Sequence, residues 1–359
     1  MKGRSVVAVP NLTIGIDLGD KKSQVCVVDG AGEIVQEGAV RMRREAWVVF
    51  LKKYPGARVA MEVGTHSPWL SRFITDLGHE VFVANPSAVN GGRRRRRRKR
   101  NDKLDAQKLA RLARIDPGLL KPIRHRGEQA QVDLAVLQSR DVLVKARTKL
   151  INHVRGSVKA IGARLPRCSA DAFGKHMVKE IPEVLEPALG PVLRQIAALS
   201  AEIKKFDKVV EAKAKEYPET ERLRQVKGVG PLTSLCYVLV LENPKYFPEP
   251  RAVGSYVGLV PCLDESSEDK PQLGITKAGC ELLRRYLVQS SHYILGPFGP
   301  DTDLRLWGLS LMLRGGKNAK KRAGVAVARK LSVLLHRLWE TGEVYEALRN
   351  ERERAQRAA

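Results

Sequence analysis

Cysteines, aromatic residues, acidic charge and long apolar runs are all scarce in this chain. The five cysteines, Cys26, Cys168, Cys236, Cys262 and Cys280, are scattered and form no CxxC pair. Neither a disulfide framework nor a zinc site is therefore expected, and a reducing cytoplasm is the expected setting. No apolar run approaches the roughly 18 residues of a membrane helix. The opening MKGRSVVAVPNLTIGIDLG shows no signal-peptide cleavage region before its first strand pattern, so a soluble cytoplasmic protein with no membrane partner is expected. Aromatic residues make up only 5% of the chain, too few for a platform that stacks successive bases. Acid is the largest shortage: 39 Asp and Glu face 64 Lys and Arg, for a net charge of +25. That excess goes far beyond what solubility requires and suits a partner lined with phosphates. Hydrophobic residues nevertheless reach 43% of 359, which excludes a wholly disordered basic protein. The length suits two domains, or one domain with a long helical insert.

Residues 12–17, 22–29 and 33–40 read as three short strands in an antiparallel meander, with turn-rich segments between them. Helix, strand, helix, strand and helix patterns follow at 43–53, 58–63, 68–77, 80–84 and from Asn101. Later strands joined by helical crossovers predict a mixed sheet with helices on its faces, in the order of a ribonuclease H-like fold. From about 128 to 166 the pattern is one long helix, with Leu137, Val144, Ile151, Val158 and Leu165 at a strict seven-residue spacing. Such a stripe faces a partner helix, which is either the segment near 190–216 of the same chain or a second copy in a dimerising coiled coil. Pro182, Pro187 and Pro191 are expected to break the return path. The region from 219 to 345 is mostly helical, with a helix near 277–290 and another at 322–341.

Four acids stand out. Asp17 ends the first strand, Glu62 ends the fourth, and Asp102 and Asp105 lie three residues apart on one face of a helix start. Singly, each has an ordinary reading: a strand end, an ion-pair partner, a helix cap. Together they make a cluster that is repulsive without cations and that two hard divalent ions would neutralise, giving a centre for phosphoryl transfer. Immediately before Asp102 stand eight consecutive cations, Arg93, Arg94, Arg95, Arg96, Arg97, Arg98, Lys99 and Arg100. Such a run cannot pack and is either solvated or laid on a polyanion. The sequence VKGVGPLTS, with Lys227, Gly228 and Gly230, is either a simple turn or a helix-hairpin-helix turn whose backbone amides hold a phosphate. Ser266 and Ser267 sit in the polar loop CLDESSEDKPQLG. His66, His153 and His336 show neither triad nor metal spacing, and structural or surface roles are expected of them.

Taken jointly, IGIDLGDKK, AMEVGTHSPWL, VFVANPSAV, RNDKLDAQKLARL, VKGVGPLTS, SYVGLVP and LGITKAGCELLRRYL resemble the DEDD-type, RuvC-like insertion-sequence transposases. That group includes bridge-RNA-guided recombinases and Piv-type invertases. The resemblance spans most of the chain and implies an α/β catalytic domain over 1–125, a long helical or coiled-coil segment over 126–218, a mostly helical transposase domain over 219–345 and a charged tail over 346–359. It also implies that Asp17, Glu62, Asp102 and Asp105 bind Mg²⁺, two ions per site. A serine nucleophile would come from the C-terminal domain, Ser267 with Ser266 as alternate, although Glu268 stands where the family pattern has glycine. DNA strand exchange through a phosphoserine intermediate follows, with donor and target duplexes, a structured guide RNA and a homodimer or homotetramer as partners. Two other classes stay open: a RuvC-like nuclease that cuts branched DNA with water, and a non-catalytic architectural or RNA-binding protein.

Overall fold

A computed structural model describes residues 12–86, 102–262 and 273–350. The chain divides into two compact units, with the boundary between Glu128 and Gln129. The first unit holds a five-stranded mixed sheet in the order β3-β2-β1-β4-β5, formed by β1 (Leu12–Asp17), β2 (Lys22–Asp29), β3 (Ile34–Arg41), β4 (Arg58–Glu62) and β5 (Glu80–Ala84). The pairs β1–β2 and β2–β3 are antiparallel, whereas β1–β4 and β4–β5 are parallel. This is the meander followed by helical crossovers that the sequence pattern implies.

Alternation along the central strands assigns the two faces. Ile14, Ile16, Val59 and Met61 pack on one side against Trp47, Phe50 and Leu51 of α1 (Arg44–Leu51) and Leu70 and Ile74 of α2 (Ser67–Asp76). The opposite side carries α3 (Asp102–Ile115), whose small residues Ala106, Ala110 and Ala113 are buried against Cys26, Val28 and Ala60. Gly15 makes this close approach possible. A Cβ there would lie 2.0 Å from the Ala106 carbonyl oxygen and 2.5 Å from the Ala110 nitrogen, so any side chain would push the helix off the sheet. Arg58, at the start of β4, donates to the Ala113 carbonyl at 3.0 Å. With Ala106 over Gly15 and Ala113 over Arg58, α3 runs antiparallel to β1 and β4, and its first turn hangs over their C-terminal ends.

The second unit is helical: α4 (Glu128–Ala160), α5 (Ala170–His176), α6 (Glu186–Lys215), α7 (Glu219–Arg224), α8 (Pro231–Leu241), α9 (Ala252–Tyr256), α10 (Glu281–Leu295), α11 (Asp303–Leu313) and α12 (Ala319–Thr341). From Thr233 to Leu241, α8 is buried all round, as an apolar helix at the centre of a bundle must be. Facing residues of α10 and α12 complete that core. The long helix of the heptad pattern packs within its own chain. Asp133 meets Lys213 at 3.2 Å, Arg140 meets Asp207 at 2.6 Å, and Arg147 meets Ser200 at 3.2 Å. These rungs rise by seven on α4 and fall by six or seven on α6, which is the register of an antiparallel helical hairpin. Leu137, Ile151 and Val158 are buried in this arrangement.

Two boundaries differ from the expectation. The long helix stops at Ala160, so Leu165 lies beyond it, and Gly162 at φ +83 turns the chain. Pro187 and Pro191 do not break the return helix: Pro187 lies in its first turn, where the amides lack intrahelical partners in any case, and Pro191 lies inside it. Pro191 removes the amide that would pair with the Pro187 carbonyl, and both prolines are exposed.

Candidate nucleic-acid-processing site

Ile16 pairs with Met61 across the parallel β1–β4 ladder, so Asp17 and Glu62 follow side by side at the same end of neighbouring strands. Both continue the alternating set that faces α3, Asp17 after Gly15 and Glu62 after Ala60. Asp105 is half-buried and Asp102 exposed in the first turn of α3, the turn that the Gly15 contact holds over those strand ends. The strand ends and the helix start that carry the four acids therefore lie at one edge of the sheet. Their donor set is oxygen only, which suits a hard divalent cation. Among the described residues, no three such side chains stand close enough together to grip a metal ion.

The loops beyond the two carboxylate strands are fastened to each other, a feature the sequence reading missed. Trp69 Nε1–H donates to His66 Nδ1 at 3.1 Å, so the ring proton of neutral His66 sits on Nε2, which faces Asp20 Oδ1 at 3.4 Å. His66 thus joins the loop after Glu62 to the loop after Asp17. Behind it, His125 Nε2 meets the buried Ser67 hydroxyl at 2.8 Å, and Arg72 donates to the Arg126 carbonyl at 2.9 Å. Burial, then the Arg72 and Arg126 guanidinium groups, holds His125 below the usual histidine range. The signal available in the sequence was THSPWL, where Pro68 marks a helix start and Trp69 stands three residues after His66.

In the second unit, the turn between α7 and α8 has the form its glycines suggest. Val226 and Val229 are buried anchors. Gly228 adopts φ +96, and a Cβ there would meet Tyr293 Cδ1 at 3.0 Å and Ile294 Cγ1 at 3.2 Å, so glycine is required both by conformation and by space. Gly230 caps α8 in an extended conformation, with nothing within 4 Å of where its side chain would be, and Lys227 is exposed beside it. Uncovered backbone next to a cation can approach a phosphate closely. The Arg93 to Arg100 tract and Ser266 and Ser267 lie outside the described residues. Among the described residues, no helix is long and apolar enough to cross a membrane.

Comparison with known proteins places both regions. Residues 14–162 match the transposase family DEDD_Tnp_IS110, and residues 220–298 match the transposase IS116/IS110/IS902 family. The transposase for insertion sequence element IS1111A of Coxiella burnetii is 27% identical over 92% of this chain and 90% of its own length. The transposase for insertion sequence element IS1328 of Yersinia enterocolitica is 28% identical over 78% of this chain and 83% of its own. Both regions and the full-length relatives agree, and the chain belongs to the DEDD-type insertion-sequence transposases of the IS110 family.

Proposed function

We propose that the protein cleaves and exchanges DNA strands at the ends of an insertion sequence, with the carboxylates of the sheet edge as its metal-holding groups and a C-terminal serine as its nucleophile. The observation that supports this reading most is that the ends of β1 and β4, with Asp17 and Glu62, lie beneath the first turn of α3, with Asp102 and Asp105. These four would hold divalent ions, Mg²⁺ by donor chemistry, which supply charge neutralisation at the scissile phosphate and acidify a bound hydroxyl. In the step proposed, Ser267 Oγ, with Ser266 as alternate, loses its proton and bonds to phosphorus, while the 3′-oxygen leaves and takes up a proton as a 3′-hydroxyl. A 3′-hydroxyl of the other duplex then attacks the phosphoserine, restoring the serine hydroxyl, so the exchange needs no outside energy. Exchange between duplexes calls for more than one protomer. The net charge and the few aromatic residues suit a protein that reads phosphates and shape while a structured RNA reads sequence. Lys227, Gly228 and Gly230, and the tract from Arg93 to Arg100, would contact the backbone.

The test is a suicide substrate with a nick beside the scissile phosphate, incubated with protein and Mg²⁺. A covalent protein–DNA adduct that maps to Ser266 or Ser267 and disappears in Asp17→Asn is the expected result. Cleavage retained in both Ser266→Ala and Ser267→Ala would overturn the serine step and leave a water-using nuclease; recombination retained in Asp17→Asn would overturn the catalytic reading altogether.

A further inference from the structure

A second concentration of charge lies far along the chain from the poly-arginine tract. From the end of α11 into the first turn of α12 the sequence reads LRGGKNAKKR, with Arg314, Lys317, Lys320, Lys321 and Arg322 within nine residues. The first four are exposed and, among the described residues, enter no ion pair. Arg322 instead folds back to donate to the Gly315 carbonyl at 3.1 Å, bracing the turn. Four solvated like charges on one short turn repel one another, and a row of phosphates relieves that repulsion.

The position of this turn relative to Gly228 gives it a partner. Gly324, one helical turn into α12, packs against Ser291 and His292, with 3.5 Å between its Cβ position and the His292 ring. Gly228 packs against Ser290, Tyr293 and Ile294 of the same helix. At about 100° per residue, the sets 290, 293, 294 and 291, 292 lie on opposite sides of α10. The glycine turn with Lys227 and the basic turn therefore flank the C-terminal end of one helix. Between them stands α10, and a helix with its side chains is about 10–12 Å across.

We infer that these two turns form one bipartite clamp for duplex DNA, in which Lys227 and the Gly228–Gly230 backbone hold one phosphate strand and Arg314, Lys317, Lys320 and Lys321 hold the strand across the groove. A spacer one helix across is close to the roughly 12 Å width of a B-form major groove, whereas A-form RNA has a deep, narrow groove there. DNA is thus the favoured occupant. The inference rests on the proposed DNA-processing role and adds to it a contact surface outside both the acidic edge and the poly-arginine tract.

The experiment uses the full chain and a fluorescently labelled mixed-sequence DNA duplex, titrated at several salt concentrations, with an RNA hairpin of equal length in parallel. Replacing Arg314, Lys317, Lys320 and Lys321 together by Ala is expected to weaken duplex binding at least tenfold and to make the slope of log affinity against log salt shallower by about one per contacting cation. Lys320→Arg with Lys321→Arg is expected to bind as the parent does, and an unchanged circular dichroism melt shows that the Ala variant is folded. If the Ala variant keeps parental affinity and slope while Lys227→Ala weakens binding, the basic turn is not a contact and the clamp is overturned. If it loses RNA but not DNA binding, the occupant is wrong and the clamp is likewise overturned. Failure of the parent itself to bind duplex would instead bring down the underlying functional reading.

Discussion

The acid edge depends on a residue with no side chain. Gly15 lets α3 lie against β1, and α3 brings Asp102 and Asp105 over Asp17 and Glu62. Gly15→Ala inserts a methyl at 2.0 Å from a backbone carbonyl, and neither that atom nor the Ala110 amide can swing away as a flexible side chain would. An overpacking cost of about 1–3 kcal/mol or more is expected, read as a lower midpoint in urea unfolding. DNA cleavage should fall further than the stability loss explains, because the displaced helix carries two of the four acids. Asp17→Asn is the contrasting case: it changes charge without changing volume at a half-buried strand end, so the melt should stay near parental. Strand cleavage should drop by more than about 100-fold, beyond what loss of an outer-shell partner costs a metal site. His125 supplies a pH signature. Its folded-state pKa lies below that of the unfolded chain, about 6.5, so on acidification the unfolded state takes up the proton first. Stability is complete above that value and is lost as the pH falls below it, until the folded form also protonates. The difference between the parent and His125→Gln melts, measured from neutral to mildly acidic pH, should show this loss in the parent alone.

At the scale of elements, the α4–α6 hairpin separates ion pairs that matter from those that do not. Asp133 is 3% exposed and accepts from Tyr217 at 2.5 Å, from Gln129 at 3.2 Å and from Lys213 at 3.2 Å. Burial alone would raise its carboxyl pKa, but the three donors outweigh burial and hold it below the usual carboxylate range, while the Tyr217 hydroxyl is pushed up by burial and by the same carboxylate. Asp133→Ala leaves three donors facing a hole and should cost about 1–3 kcal/mol. Lys205→Ala breaks the Lys205–Glu202 pair, whose side chains are 71% and 50% exposed, and should cost under about 0.5 kcal/mol. The two urea midpoints separate the cases. The elements themselves were largely legible: β1, β2 and β5 fall where alternation puts them, and the order of the first unit follows from its crossover lengths. Less legible was the partner of the heptad stripe, since leucine spacing on α4 is the same whether the facing helix is in cis or in trans. The polar rungs decide it, and they involve Lys213, Asp207 and Ser200, which carry no pattern of their own. The His66–Asp20 fastening was hidden for a similar reason: its partners are 46 residues apart and meet only because β1 and β4 are neighbours.

On the scale of the whole molecule, net charge sets the strength of association. A protein at +25 that neutralises six to ten phosphates should lose about 10³ to 10⁵ in duplex affinity between roughly 50 and 200 mM salt. A titration across that range checks this, and a flat response would show that charge is not what holds the DNA. The measurement is most informative alongside the turn variants, because they and the poly-arginine tract would each reduce the slope by their own share.

The polar rungs of the second unit also act as a ruler. Because they recur every seven residues on α4, deleting a single residue between Asp133 and Arg140 would rotate everything beyond the deletion by about 100° and pull two rungs off their partners at once. Lengthening both arms by one whole repeat would keep every rung in place and move the hairpin tip outward by about 10 Å. The length of this arm can therefore change, but only in steps of that size.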